Sequence, residues 1–169
     1  MDFTIEKRDA MKIIGFERTF SFETAYQEIP KFWDEFCEKH CKQDFPCGSG
    51  EAVRQTIAEG MGGEFGVCVE DEADMEHFRY YIAGAYQGGQ VPEGMKVFEV
   101  PAGEWAKFKC VGPMPEALQT VNTRIFNEWL PGNQEFEAAF HINIEWYSGK
   151  DTGSEAYESG IWIPVKRLK

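Results

Sequence analysis

The order strand, strand, helix, strand, strand is written twice along this 169-residue chain, and a repeated order constrains a fold more than any single element does. In the first copy, residues 2–8 and 11–20 carry enough alternation to predict two strands. After Ser21, the apolar residues Phe22, Tyr26, Ile29, Trp33 and Phe36 recur at spacings of 4, 3, 4 and 3, which places them on one helical stripe. Pro30 marks either the first turn of that helix or a kink in it. Six glycines between Gly48 and Gly66 surround a short predicted helix over 51–59, and residues 65–70 and 78–86 predict two further strands.

A turn-rich segment over 87–94 separates the copies. Residues 97–100 and 104–110 then predict two strands, and residues 115–130 a helix with Leu118, Val121, Ile125, Phe126 and Trp129 on one face, stopped by Pro131-Gly132. Residues 141–147 and 160–165 predict the last two strands. Placing 65–70 over 140–145 matches Phe with Phe, Val with Ile twice and Glu with Glu. The helices align Phe32 with Phe126 and Phe36 with Leu130, at a constant offset of 94. The expected fold is therefore α+β, a single domain over 1–169 made of two pseudo-symmetric halves, about 1–88 and 95–169. A groove between such halves is a common place for a small-molecule site.

Charge narrows the partners. With 29 acidic against 17 basic side chains the net charge is −12, and the only basic run is Lys166, Arg167 and Lys169. Such a chain repels phosphate backbones and anionic lipid, so neither nucleic acid nor membrane is an expected partner of this chain alone. The charged opening residues exclude a signal peptide, and no stretch approaches the ~18 apolar residues that span a bilayer. Five cysteines, an odd count, suit a reducing compartment, and the expected location is cytoplasmic.

Few local motifs compete for a chemical role. Cys37, His40 and Cys41 share a helical face and Cys47 follows, but the spacing is not that of a zinc finger, and Cys37 also continues the apolar stripe. No metal and no cofactor are expected. The glycine-rich 60–66 lacks the Lys-Ser/Thr of a phosphate loop and precedes a strand where that motif needs a helix. No Gly-x-Ser-x-Gly elbow is present.

The strand over 141–147 is the informative one. Period two puts Ile142, Ile144 and Trp146 on one face and His141, Asn143, Glu145 and Tyr147 on the other. Glu145 is then either a solvated carboxylate on an open sheet or a desolvated one in a pocket, where it would be a strong cation site.

Several segments, in order, resemble the GyrI-like small-molecule-binding family, whose effector-binding domain also occurs attached to AraC-type and MerR-type regulators. They are Val100-Pro-Ala-Gly-Glu-Trp-Ala-Lys-Phe108, Gly112-Pro113, Phe126-Asn-Glu-Trp-Leu-Pro131, Ile144-Glu-Trp-Tyr147 and Ile161-Trp-Ile-Pro-Val165. The first half follows more loosely, through Lys12-Ile-Ile-Gly15, Phe32-Trp33 and Phe78-Arg-Tyr-Tyr-Ile82. The resemblance implies curved antiparallel sheets around an aromatic-lined central cleft, with Glu145 meeting cationic or lipophilic aromatic ligands. It implies further lining from Tyr147, Trp105 and Trp162, the two tryptophans serving equally well as core, and from Tyr81 as the first-half counterpart of Trp162. Glu70 is the weaker counterpart of Glu145. No helix-turn-helix pattern occurs in the chain, which reads as a standalone member or an effector domain cut from a regulator. The leading expectation is a multidrug-type binding module for aromatic or cationic small molecules. The alternative is a cofactor-free hydrolase of cyclopropane-containing alkylators in the same cleft, with Glu145 catalytic, and a third is a protein-binding inhibitor working through the acidic surface.

Overall fold

The computed structural model describes residues 1–40, 63–149 and 151–169. The helix expected over 51–59, together with Cys41 and Cys47 of the cysteine-rich cluster, lies outside the described residues. The described chain forms nine strands and two long helices, an α+β fold: β1 (Phe3–Arg8), β2 (Met11–Ser21), α1 (Ala25–His40), β3 (Phe65–Asp71), β4 (Asp74–Ala85), β5 (Lys96–Val100), β6 (Gly103–Val111), α2 (Glu116–Arg124), β7 (Phe136–Ala138), β8 (Ile142–Tyr147) and β9 (Glu158–Arg167). The eight strands expected from sequence are all present. The three-residue β7, too short to show a period, was not expected.

The chain forms two compact units, one of Met1–Met11 with Pro101–Lys169 and one of Lys12–Val100. This differs from a division into 1–88 and 95–169, because each copy's first strand belongs to the other unit. In the first unit the order is β1-β6-β9-β8, and in the second it is β5-β2-β4-β3. The two units thus repeat one topology: the strands of each run first, second, fourth, third, with the first strand exchanged.

In the first unit, β9 pairs antiparallel with β6 along one edge, from Glu104↔Val165 to Val111↔Glu158. Its other edge is shared by β8, at Ile144↔Trp162 through Tyr147↔Ser159, and by β7, at Phe136↔Arg167 through Ala138↔Val165. Pro164 accounts for the break between them. Its carbonyl accepts from Ala139 N–H at 2.8 Å, so its ring nitrogen, which carries no hydrogen, faces that same edge and cannot continue the ladder. Cross-strand partners share a face, so Ala106, Phe108, Cys110, Ile161, Ile163 and Val165 form one wall. Leu118 and Ile125 from the α2 segment pack on that wall, with Val121, Trp129 and Leu130 beside them.

Helix α2 does not run unbroken to residue 130. Ile125–Trp129 form a π-helical turn, in which Leu130 N–H bonds back five residues to the Ile125 carbonyl, and a last turn follows over Leu130–Gly132. Phe126, expected on the buried face, is 40 % exposed, while Ile125 is fully buried. The copy-to-copy match of Phe126 with Phe32 therefore equates an outward residue with a core one.

In the second unit, β2 and β3 flank β4, and α1 covers the face formed by Phe20, Phe78, Tyr80 and Ile82. Ala25, Phe32 and Phe36 are the buried helix positions, with Ile29 and Trp33 packed beside them. The stripe is rotated from the expected one. Tyr26 is exposed, and Phe22 precedes the helix with its ring 4.8 Å from that of Phe78. Pro30 lies inside α1, where it removes one helical hydrogen bond. Burying Phe32 and Phe36 contributes roughly 1.5–3 kcal/mol each, enough to hold a helix with that defect in place. Trp33 Nε1 donates to the Tyr80 hydroxyl at 2.7 Å, which satisfies the polar atom of a fully buried tyrosine.

Gly15 lies opposite Ala83 in the β2–β4 ladder, and a Cβ there would come within 2.0 Å of the Ile82 carbonyl oxygen and 2.7 Å of Ala83 Cα. The obstruction is backbone and cannot rotate away. We expect Gly15→Ala to lower the free energy of unfolding by at least ~2 kcal/mol, whereas Gly149→Ala, which meets nothing within 4 Å, should stay within ~0.5 kcal/mol of the parent. Urea titration of the two variants measures the difference.

Candidate functional site

Strand β8 gives the site its geometry. Alternation points Asn143, Glu145 and Tyr147 to one side and Ile142, Ile144 and Trp146 to the other, as the sequence pattern implies. Glu145 pairs with Ile161 and Tyr147 with Ser159, so the polar row shares its face with the α2-covered wall. Glu145 is 8 % exposed, and its Oε2 accepts from the Tyr147 hydroxyl at 2.7 Å. A short O–H···O⁻ bond of this kind orients a carboxylate and compensates part of its desolvation. Glu145 is felt across the wall: burial first, and then its negative charge, push the Cys110 thiol up to about 11 against a hydrogen bond to Ser159. Cys110 is therefore a protonated core residue at neutral pH and not a nucleophile. Beside Glu145, the Oδ1 atom of Asn143 is buried with no hydrogen-bond partner among the described residues.

The register places Trp105 and Trp162 on the face of the sheet opposite Glu145. Trp162 lies opposite Ile144 and Lys107, and Trp105 opposite Pro164 and Glu6, so both rings project from the other side of the sheet. Both are buried. The Trp162 ring already carries two of the chain's own cations, with Lys107 Nζ at 4.0 Å and the Arg8 guanidinium at 4.6 Å from its centroid. Glu6 ties both cations down, at 2.9 Å from Lys107 and 3.6 Å from Arg8. At Gly160 a Cβ would come within 3.1 Å of the Phe108 carbonyl oxygen, with Trp162 and Trp146 in ordinary contact at 3.6 and 3.7 Å.

Tyr81 belongs to the second unit, on the face of its sheet opposite α1. Its hydroxyl donates to Glu17 at 2.6 Å and accepts from Arg79 at 3.3 Å, and Lys96 reaches the other Glu17 oxygen at 3.1 Å. Burial, then the bond to Glu17 and its charge, push the Tyr81 phenol up to about 12. Partial burial alone would raise Glu17. Hydrogen bonds from Tyr81 and Lys96, with the charges of Lys96 and Arg79, outweigh it and hold the carboxyl below its usual 4.5.

The two proposed glutamate counterparts do not coincide. If Trp162 corresponds to Tyr81, Ile161 corresponds to Tyr80, whose β3 partner is Cys68, two residues short of Glu70. Sequence reasoning placed Asn143 on the polar face and assigned it no role; its buried amide oxygen is visible only with the fold in hand. His141 is exposed. Among the described residues, no three His, Cys, Asp or Glu side chains gather as a metal site. A hollow of about 600 Å³ bounded by Gly132, Glu135, Arg167 and Leu168 is rimmed by the Glu135–Arg167 ion pair, and Glu145, Tyr147, Trp105, Trp162 and Tyr81 do not line it.

The family described as integron-associated effector binding protein, Cass2, matches residues 4–165. No curated protein matches the chain. Among solved structures, SAV2435 bound to tetraphenylphosphonium is 20% identical with a TM-score of 0.78, over 98% of this chain and 94% of that one. The integron cassette protein VCH_CASS2 from the mobile metagenome of Vibrio cholerae is 15% identical with a TM-score of 0.67, over 97% and 95%. The EcmrR C-terminal domain is 12% identical with a TM-score of 0.57, over 99% and 98%. At these identities the likeness is one of fold, and it agrees with the GyrI-like resemblance read from the motifs.

The Glu17 network generates a pH test. A carboxyl held low in the folded state contributes stability that is present above 4.5 and lost as pH falls through its lowered value. The difference in urea midpoint between the parent and Glu17→Gln should therefore be largest near neutral pH and shrink on acidification below about 4. A gap that stays constant with pH would show that the carboxyl is not held low. At the alkaline end, an absorbance titration should find Tyr81 ionising near 12, as a component of the parent curve that Tyr81→Phe removes.

Proposed function

We propose that this chain, which belongs to the Cass2 family of integron-associated effector-binding proteins, binds aromatic cations against the polar row of β8, with Glu145 as the charge partner. The observation that carries this reading is a carboxylate 8 % exposed in mid-strand, held by a tyrosine hydroxyl on the face that packs the aromatic and aliphatic wall under α2. A carboxylate in such a place attracts a delocalised cation more strongly than one in water, and the neighbouring apolar side chains reward the burial of rings. That SAV2435 was solved with tetraphenylphosphonium, a cation wrapped in four rings, supports the same ligand class here. In this reading Glu145 and Tyr147 meet the ligand. Trp105, Trp162 and Tyr81 serve the framework instead, since Trp162 and Tyr81 are already knit to charges of the chain itself.

The −12 charge argues for cations over anions as ligands and against duplex DNA as a partner of this chain alone. Among the described residues, no helix is long and apolar enough to cross a membrane.

The test compares tetraphenylphosphonium with the neutral triphenylphosphine oxide. Glu145→Gln should weaken the cation by roughly 1–3 kcal/mol and the neutral compound much less, because ring burial remains when the charge is lost. Calorimetric titration reads both. Equal weakening of the two compounds, or none of either, would remove Glu145 from the site. If the parent instead turns over a cyclopropane-bearing alkylator that Glu145→Gln binds without turnover, Glu145 is catalytic and the protein is a hydrolase.

A further inference from the structure

We infer that the β8 site selects cations that carry an N–H donor over quaternary cations of the same shape, and that Asn143 makes the distinction. This inference rests on the cation-binding reading and narrows its ligand class. Asn143, Glu145 and Tyr147 stand in one row, every second residue of a strand, so neighbouring side chains leave the backbone roughly 6.5–7 Å apart. All three offer acceptors. The Asn143 Oδ1 atom is buried with no hydrogen-bond partner among the described residues, and Glu145 is a carboxylate. Tyr147 commits its proton to Glu145 at 2.7 Å, which leaves that oxygen only lone pairs to present.

A buried acceptor without a donor is a standing cost in the empty protein, relieved by any ligand that brings a donor to it. A protonated aromatic amine can set its charge toward Glu145 and its N–H on Asn143. A quaternary cation satisfies Glu145 equally well but covers Asn143 Oδ1 with carbon and leaves the cost in place. Sites built to hydrogen-bond a ligand reject the analogue that lacks the donor far more strongly than apolar pockets reject an extra methyl.

Acridine orange, whose protonated ring nitrogen carries one N–H, and its 10-methyl derivative, which carries none, form a matched pair of planar cations. Fluorescence titration of the parent should show acridine orange binding about tenfold or more tightly than the methylated dye, the effect of one charge-assisted hydrogen bond. In Asn143→Leu the two affinities should converge to within about twofold, and in Asn143→Asp, which keeps an acceptor, the preference should persist. If the Leu variant does not fold, Asn143→Ala, which also removes the acceptor, carries the same test. Equal affinities in the parent overturn the inference. So does a preference that survives in Asn143→Leu, because it then reflects the bulk of the methyl group. In either case, binding of both dyes that weakens in Glu145→Gln leaves the cation site standing. Failure of the parent to bind either dye removes the cation site and this inference together.

Discussion

Everything in the first unit hangs on β9. It pairs with three strands, β6 on one edge and β8 with β7 on the other, and side chains from both of its faces are buried. Its one missing donor, at Pro164, determines where the second edge is broken. The chain leaves the ladder after Ala138 and rejoins it at Ile144, so that β8 re-enters with Glu145 opposite Ile161. A one-residue shift in the β8 register would invert the strand and send Glu145 to the side of Trp162. A backbone defect in one strand thus sets the face on which another presents its carboxylate.

The two faces of this sheet handle charge in different ways. On the α2 side a carboxylate is buried with a tyrosine, and on the other side Trp162 holds Lys107 and Arg8 above a shared glutamate. The second unit repeats the latter device in altered form: Tyr81, the topological equivalent of Trp162, is tied to Glu17, Arg79 and Lys96. In both units an aromatic side chain is knit to local charges on the face of the sheet opposite the long helix. If Tyr81 is taken as the counterpart of Trp162, the row of Asn143, Glu145 and Tyr147 has no such echo in β3, where Cys68 stands at the position matching Glu145.

What could be read in advance followed from local periodicity. The sides of β8 are fixed by alternation alone, and Glu145 and Tyr147 fell together because they are two residues apart. Trp105 and Trp162 could not be placed the same way, since their side relative to Glu145 depends on registers between strands far apart in sequence. The exchange of β1 and β5 is likewise a long-range pairing with no local trace. The π-helical turn at Ile125–Trp129 escaped because its residues satisfy an α-helical stripe just as well, except at Phe126. Motif order, in contrast, located the family, because several short phrases between Val100 and Val165 occur in the family's order within one chain.

The exchange also bears on synthesis. Residues 12–100 form a contiguous stretch that can close its own sheet as it leaves the ribosome, whereas β1 emerges first and must wait for β6, about a hundred residues later. Until then Phe3 and Ile5 belong to a nascent segment with no ladder to join, at a sequence separation that makes loop closure slow. Charged Glu6, Lys7 and Arg8 in the same short strand keep that waiting segment soluble and discourage it from pairing with its counterpart on a neighbouring nascent chain.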